Sequence, residues 1–162
     1  MKKTTAKVEH RDYVPWGWIA IEFCHVKFYG FRADVMRKKW DAIENERYQK
    51  YNPIYEANEI KIKSLRSQSA TIYKQVKESK PFYRFSYNEA EKEMLANAHK
   101  LSKQAYELDK ENEELGPKRF FNVYECHGKI EELLQQNGFV LTHTSSDGEE
   151  CVTKTEVWTL EE

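Results

Sequence analysis

Cys24-His25 and Cys126-His127 are the residues of this sequence best placed to do chemistry: two adjacent thiol–imidazole pairs, with His143 and Cys151 further along. Thiolates and imidazoles are ordinary ligands of tetrahedral Zn²⁺, and a thiol beside an imidazole is the minimum of a nucleophilic pair. The spacing works against both. There is no CxxC knuckle, and on a strand the two members of each pair would point to opposite faces, so each pair could offer one ligand. No third residue stands out to orient a Cys–His pair. The simpler reading is that Cys24 and Cys126 are packed core thiols, with the histidines at strand edges. Three cysteines leave one unpaired, which suits a reducing compartment.

Other catalytic signatures are missing. Glu59-Ile60-Lys61 has the ExK spacing found in metal-dependent nucleases, but it falls inside a helical pattern with no acidic partner at a fixed distance. The six glycines, at 17, 30, 116, 128, 138 and 148, form no phosphate-cradling loop, and there is no Walker lysine, serine elbow or HExxH helix. We therefore assign no catalytic residue, no metal and no cofactor from the sequence. A small metal- or thiol-dependent enzyme is the third-ranked reading.

Charge and aromatic residues give the binding candidates. Residues 1–84 carry 18 Lys/Arg against 10 Asp/Glu, and residues 85–162 carry 8 against 17. The whole chain is nevertheless close to neutral, at −1, which argues against both a general polyanion binder and an acidic mimic of DNA. Lys63, Arg66, Tyr73, Lys77 and Lys80 fall on one helical stripe, where cations could meet phosphates and a ring could stack on a base. The competing reading is intramolecular. In an antiparallel hairpin Lys74, Lys77 and Lys80 would approach Glu89, Glu91 and Glu93, and the acids of 107–114 would approach Lys38, Arg47 or Lys50. Pairing of this kind would use up much of the stripe. Trp16 and Trp18, flanking a glycine, and Phe82, Tyr83 and Phe85, in a PFYRF connector, are candidate protein-binding anchors, since interfaces favour Trp, Tyr and Arg. They could equally plug the hairpin onto a sheet.

The elements that would position these groups follow from pattern. Trp16–Phe31, rich in aromatic and β-branched residues, reads as a long strand ending at Gly30, with a helix as the alternative because a short apolar run does not settle its own period. From Asp34 the chain reads as helix, with Asn52 capping a new helix that has Pro53 in its first turn. Tyr48, Tyr51, Tyr55, Asn58, Ile62, Leu65, Ser69, Ile72 and Val76 then follow alternating steps of three and four. That is a heptad seam whose polar Asn58 and Ser69 would fix register. Lys80-Pro81 ends this helix. Ser86 with Glu89 reads as a capping box opening a second helix, with a stripe of Tyr87, Ala90, Met94, Ala98, Leu101, Ala105, Leu108 and Leu115, stopped by Gly116-Pro117. The two long helices should pack as an antiparallel hairpin. Arg119–Glu125 reads as a strand, with the start of a helix as the alternative, Lys129–Gln136 as a short helix, and 139–144 with 151–160 as a β-hairpin around 145–148.

Length and composition fit this outline. The chain has 162 residues, 33% of them charged, with a mean hydropathy of −0.87. Four Trp, ten Tyr and eight Phe argue against wholesale disorder, and the few glycines and the lack of a long apolar run exclude collagen and a membrane span. The N-terminal MKKTTAKVEHRD is basic with no apolar signal core, and is expected to be a flexible tail of a cytoplasmic protein.

The reading is therefore α+β: a small, mainly antiparallel sheet with a long, coiled-coil-like helical hairpin inserted. It covers 1–162 as one domain, with 1–12 as tail, 34–115 helical, and 16–31 and 119–160 forming the sheet part. The expected function is a non-enzymatic, intracellular protein-binding module, such as a phage or mobile-element accessory protein that inhibits a host enzyme or nuclease by stoichiometric binding. An RNA- or DNA-contacting protein using the basic stripe is the alternative, with nucleic acid reached directly or alongside a protein partner. A second copy is a further candidate partner, through Tyr48, Tyr51 and Tyr55.

Overall fold

The computed structural model describes residues 1–11, 22–148 and 152–162. Its elements are β1 (Lys3–Arg11), β2 (Phe23–Gly30), α1 (Ala33–Ser79), α2 (Glu89–Lys118), α3 (Val123–Gln136), β3 (Val140–Asp147) and β4 (Thr153–Glu161). The fold is α+β: a four-stranded sheet in the order β2-β1-β4-β3, antiparallel throughout, with a long helical hairpin between its strands in the sequence. The chain divides into two compact units, Met1–Tyr48 with Phe120–Glu162, and Gln49–Arg119.

The first correction is at the N-terminus. The segment expected to be a flexible basic tail is β1, an inner strand paired on both sides. Thr4, Ala6, Val8 and His10 alternate inward and are buried, while Thr5, Lys7, Glu9 and Arg11 alternate outward and are half-buried. The charges that make the segment look like a tail occupy the face of the sheet turned away from the core. Trp16–Ile21, the first part of the expected strand, lies outside the described residues; the rest forms β2. Gly30 ends it with φ +99°, and a Cβ there would collide with the Lys3 carbonyl oxygen, so only glycine fits.

In this unit the core is built on the inner face of the sheet. Ala6, Val8, Phe28 and Trp158 pack with Met36 and Trp40 of α1 and with Cys126, Ile130, Leu133 and Leu134 of α3. Arg119–Glu125 is not a strand. Asn122 caps α3, its side chain accepting the Glu125 N–H at 2.9 Å. The preceding aromatics pack against α1, Phe121 on Trp40 with ring centroids 6.3 Å apart and Phe120 on Tyr48 at 5.7 Å. The closing hairpin is longer than expected, since Ser145, Ser146 and Asp147 pair with Thr155, Lys154 and Thr153.

The second unit is the hairpin. Asn52 does not start a new helix: α1 runs continuously past Pro53. The missing Pro53 N–H leaves the Gln49 carbonyl without its helical donor, and Gln49 is exposed, so water can satisfy it. Asn52 is buried and accepts a hydrogen bond from Arg119 Nη1 at 3.1 Å. Likewise α2 runs through Gly116-Pro117, and the carbonyl of exposed Glu113 takes the same solution. The cap of α2 lies two residues beyond the expected Ser86. Asn88 Oδ1 accepts the Glu91 N–H at 2.8 Å, and the Asn88 N–H donates to Glu91 Oε2 at 3.0 Å.

The seam on α1 is as the spacing predicts. Asn58, Ile62, Ser69 and Val76 are buried, and Tyr51, Tyr55, Leu65 and Ile72 are half-buried beside them. On α2 the buried row is Glu91, Ala98, Ala105 and Asn112, spaced by seven. The N-terminal end of the expected stripe is displaced, because Tyr87, Ala90 and Met94 are exposed and Glu91 turns inward. Ser69 donates to the Ala98 carbonyl at 2.9 Å, its hydroxyl 2.6 Å from that of Ser102, and Asn58 donates to Asn112 at 3.0 Å. Alanines at closest approach let the backbones come near enough for these short polar side chains to reach across.

Candidate functional site

The thiol–imidazole pairs separate in a way that depends on the elements carrying them. On β2, Cys24 faces inward, opposite His10 of β1, while His25 faces outward and meets Glu9 at 3.0 Å. Strand alternation splits that pair, as the sequence implies. Cys126-His127 sits on α3 instead of a strand, and neighbouring helical residues are only about 100° apart, so both side chains turn toward the sheet. The Cys126 thiol donates to the Cys24 carbonyl at 3.5 Å. A hydrogen bond with the Cys24 side chain holds the Cys126 thiol below the usual range, outweighing its burial and the Glu44 carboxylate, which both push it up. The His127 ring packs against His10 at a tilt of 48°, with centroids 4.4 Å apart, and its Nε2 lies 3.1 Å from both carboxylate oxygens of Glu156. The Trp158 indole donates to the same carboxylate at 3.2 Å.

One end of the core therefore gathers Cys24, Cys126, His10, His127 and Glu156. His10 and Glu156 are not among the residues the sequence reading selects; the alternation of Thr4, Ala6, Val8 and His10 is the signal that would have placed His10 inside. His143 lies on β3 opposite Val157, and Cys151 is outside the described residues. Among the described residues no three His, Cys, Asp or Glu side chains are grouped to hold a metal ion. The Cys126 thiol is directed at β2 and His127 is engaged by Glu156, so the pair shares no reacting centre. What the cluster does is fasten α3 to β2 and β4.

The connector between α1 and α2 has the opposite character. Phe82 is 95% exposed, Phe85 94% and Tyr83 70%. They project from a framed loop. The Arg84 N–H donates to the Pro81 carbonyl at 3.0 Å, the Arg84 guanidinium binds the Glu91 carboxylate, and Lys80 lies 4.6 Å from the Tyr87 ring centre. Burial pushes the Glu91 carboxyl up, but the Asn88 N–H and the Arg84 guanidinium outweigh it and hold it below the usual carboxylate range. None of the three rings plugs into a core. Trp16 and Trp18, the other two candidate anchors, lie outside the described residues.

The basic stripe is only partly neutralised. Arg66 meets Asp109 at 2.6 Å, the one stripe residue with an ion pair among the described residues. Lys63, Tyr73 and Lys77 are exposed and Lys80 lies over Tyr87. The expected cross-hairpin partners of Lys74 and Lys77 are elsewhere, Lys74 facing Glu78 on its own helix and Glu89 taken by Lys92. Arg47 pairs with Glu125 at 3.0 Å. Tyr48 and Tyr55 are covered within the chain, by Phe120 and by the Arg119 guanidinium at 3.7 Å. Among the described residues no helix is long and apolar enough to cross a membrane.

Comparison with protein-family models, with curated proteins and with solved structures finds no match.

Proposed function

We propose that this protein is a non-catalytic protein-binding module whose hairpin tip seats in an apolar pocket of its partner. The observation that carries the reading is the near-complete exposure of Phe82 and Phe85 on a loop held by the Arg84–Glu91 pair and the Asn88 cap. Exposing two phenylalanines on a fixed loop costs hydration free energy that burial in a partner would return, at about 25 cal/mol per Å² of apolar surface. A loop already framed loses little conformational entropy on docking, so more of that return appears as affinity. Lys77 and Lys80 flank the tip and would favour a pocket with acidic groups at its rim. The mode of action that fits is occupation of a partner's surface, for which stoichiometric inhibition of a host enzyme or nuclease by a phage or mobile-element accessory protein is the specific form.

The test is affinity capture of the tagged full chain from host lysate, with and without nuclease, alongside Phe82→Ala/Phe85→Ala. A protein retained near one-to-one after nuclease, and lost from the variant, supports the proposal. Equal retention by the variant refutes the tip as the anchor. Material lost on nuclease treatment moves the contact to Lys63, Arg66, Lys77 and Lys80, and catalytic turnover by the purified chain would overturn the reading altogether.

A further inference from the structure

β2 is an outer strand of the sheet, and among the described residues it pairs only with β1, in an unbroken register from Phe23 to Gly30. Beside it runs a cleft of about 410 Å³. One wall is five consecutive residues, His25 to Tyr29, and the other is Arg37, Trp40, Asp41 and Glu44 of α1. Inward-facing Val26 and Phe28 and outward-facing His25, Lys27 and Tyr29 all line it. A space lined by five consecutive strand residues of both parities runs along the strand's edge, where β2 presents main-chain N–H and C=O groups. Five residues of strand span about 17 Å. The α1 residues, at spacings of three and four, form one helical face opposite.

This is the shape of a slot for one more strand. The other outer strand, β3, differs: its register is broken between Leu141 and His143, an irregularity of the kind that discourages further pairing.

The charges select among occupants. Arg37 is engaged by Asp34 at 2.9 Å. Asp41 and Glu44 make no ion pair among the described residues. Burial, and then the Asp41 carboxylate, push the Glu44 carboxyl above its usual range, against a hydrogen bond with the Trp40 side chain. Two adjoining carboxylates on the wall of a slot are relieved by a cation entering it.

We propose that this cleft takes up an extended polypeptide segment of a partner as a fifth strand on β2, with a Lys or Arg side chain of that segment set against Asp41 and Glu44. Main-chain hydrogen bonds to β2 supply the binding, and the carboxylate pair supplies the selectivity. The site is independent of the hairpin tip.

The experiment is selection of short random peptides displayed on phage against the immobilised full chain, followed by binding measurements with the enriched peptides in solution. Expected are sequences alternating apolar and polar residues with one recurrent Lys or Arg. Methylating alternate main-chain nitrogens in one register of such a peptide should abolish binding, while methylation in the other register is tolerated. Asp41→Lys with Glu44→Lys, both at exposed positions, should weaken binding by more than about tenfold while the far-ultraviolet circular dichroism spectrum and the cooperativity of unfolding stay as in the wild type. Amide resonances of His25–Tyr29 should shift on titration, and Phe82→Ala/Phe85→Ala should bind the same peptides equally well. The proposal is overturned by failure to enrich any peptide over blank support, or by binding that survives the double charge reversal. It is also overturned if concentration-dependent self-association protects the His25–Tyr29 amides, since a second copy would then be the occupant.

Discussion

Asn112 is the residue whose removal tests the account of the hairpin most directly. Its side-chain amide donates to the Tyr55 carbonyl at 3.1 Å and to Glu59 Oε1 at 3.0 Å, and it accepts from Asn58 at 3.0 Å. Asn112→Ala deletes all three bonds. Neutral bonds contribute about 1 kcal/mol each, and one to a partly solvated carboxylate about the same or slightly more. The stranded amide of Asn58, which is only 9% exposed, adds to the loss. The expected destabilisation is about 3–4 kcal/mol, and for a chain of this size each kcal/mol moves the midpoint by about 2–4 °C, giving a drop of about 6–16 °C. Thermal unfolding followed by far-ultraviolet circular dichroism measures it. Asn58→Ala and the double variant complete the cycle. Both single substitutions break the Asn58–Asn112 bond, so the double should cost less than their sum by about 1 kcal/mol. A midpoint shift below about 2 °C, or additive singles, would refute the assignment of the network as a stabilising register lock. Replacing both asparagines with leucine should restore or exceed the original midpoint while loosening register, because a polar pair at one layer is what penalises a heptad slip.

The other predictions concern single groups. Glu91 has a depressed folded pKa, so its contribution to stability is complete above the ordinary carboxylate value of 4.5 and disappears as pH falls through the lower folded value. The midpoint difference between the wild type and Glu91→Gln should therefore shrink on acidification from neutral pH, and a constant difference would contradict the Arg84 and Asn88 contacts. Glu44 has the opposite sign. Its folded pKa is raised, so the folded state is penalised once pH rises above 4.5. Glu44→Gln should raise the midpoint at neutral pH and have no effect in acid, and a lowered midpoint at neutral pH would remove that reading. Phe82→Ala and Phe85→Ala should each change unfolding free energy by less than about 0.5 kcal/mol, because they touch no core. A larger loss in urea unfolding would mean that the rings pack inside the fold.

The hairpin could be read from the sequence because its determinants are local and periodic. Steps of three and four from Tyr48 to Val76 state both the helix and its buried face, and polar Asn58 and Ser69 within that row can be read as paired without knowing with what. The ends of the helices were harder. Gly116-Pro117 and Asn52-Pro53 are strong local stop signals, yet both prolines lie inside helices, where the carbonyls they orphan belong to exposed residues that water can reach. Local rules describe the cost of a proline but not the solvent around it.

Long-range pairing accounts for the rest. Lys3–Arg11 has only two strongly apolar inward side chains and a row of charges, and it becomes an inner strand because β2 and β4, from distant parts of the chain, satisfy its backbone on both sides. Arg119–Glu125 has strand-like composition, but Asn122 caps a helix once Phe120 and Phe121 find Tyr48 and Trp40. That one change of element turns Cys126 and His127 to the same side. The sequence by itself determined the α+β class, the heptad seam and the aromatic connector, because each rests on neighbours within a few turns of chain. Only the tertiary structure decided that Cys24 meets Cys126, that His127 meets His10 and Glu156, that the connector's rings stay in water, and that a cleft opens along β2. Those outcomes depend on which distant backbone completes each hydrogen-bond ladder and on which face each element buries, and neither is a property of a residue and its near neighbours.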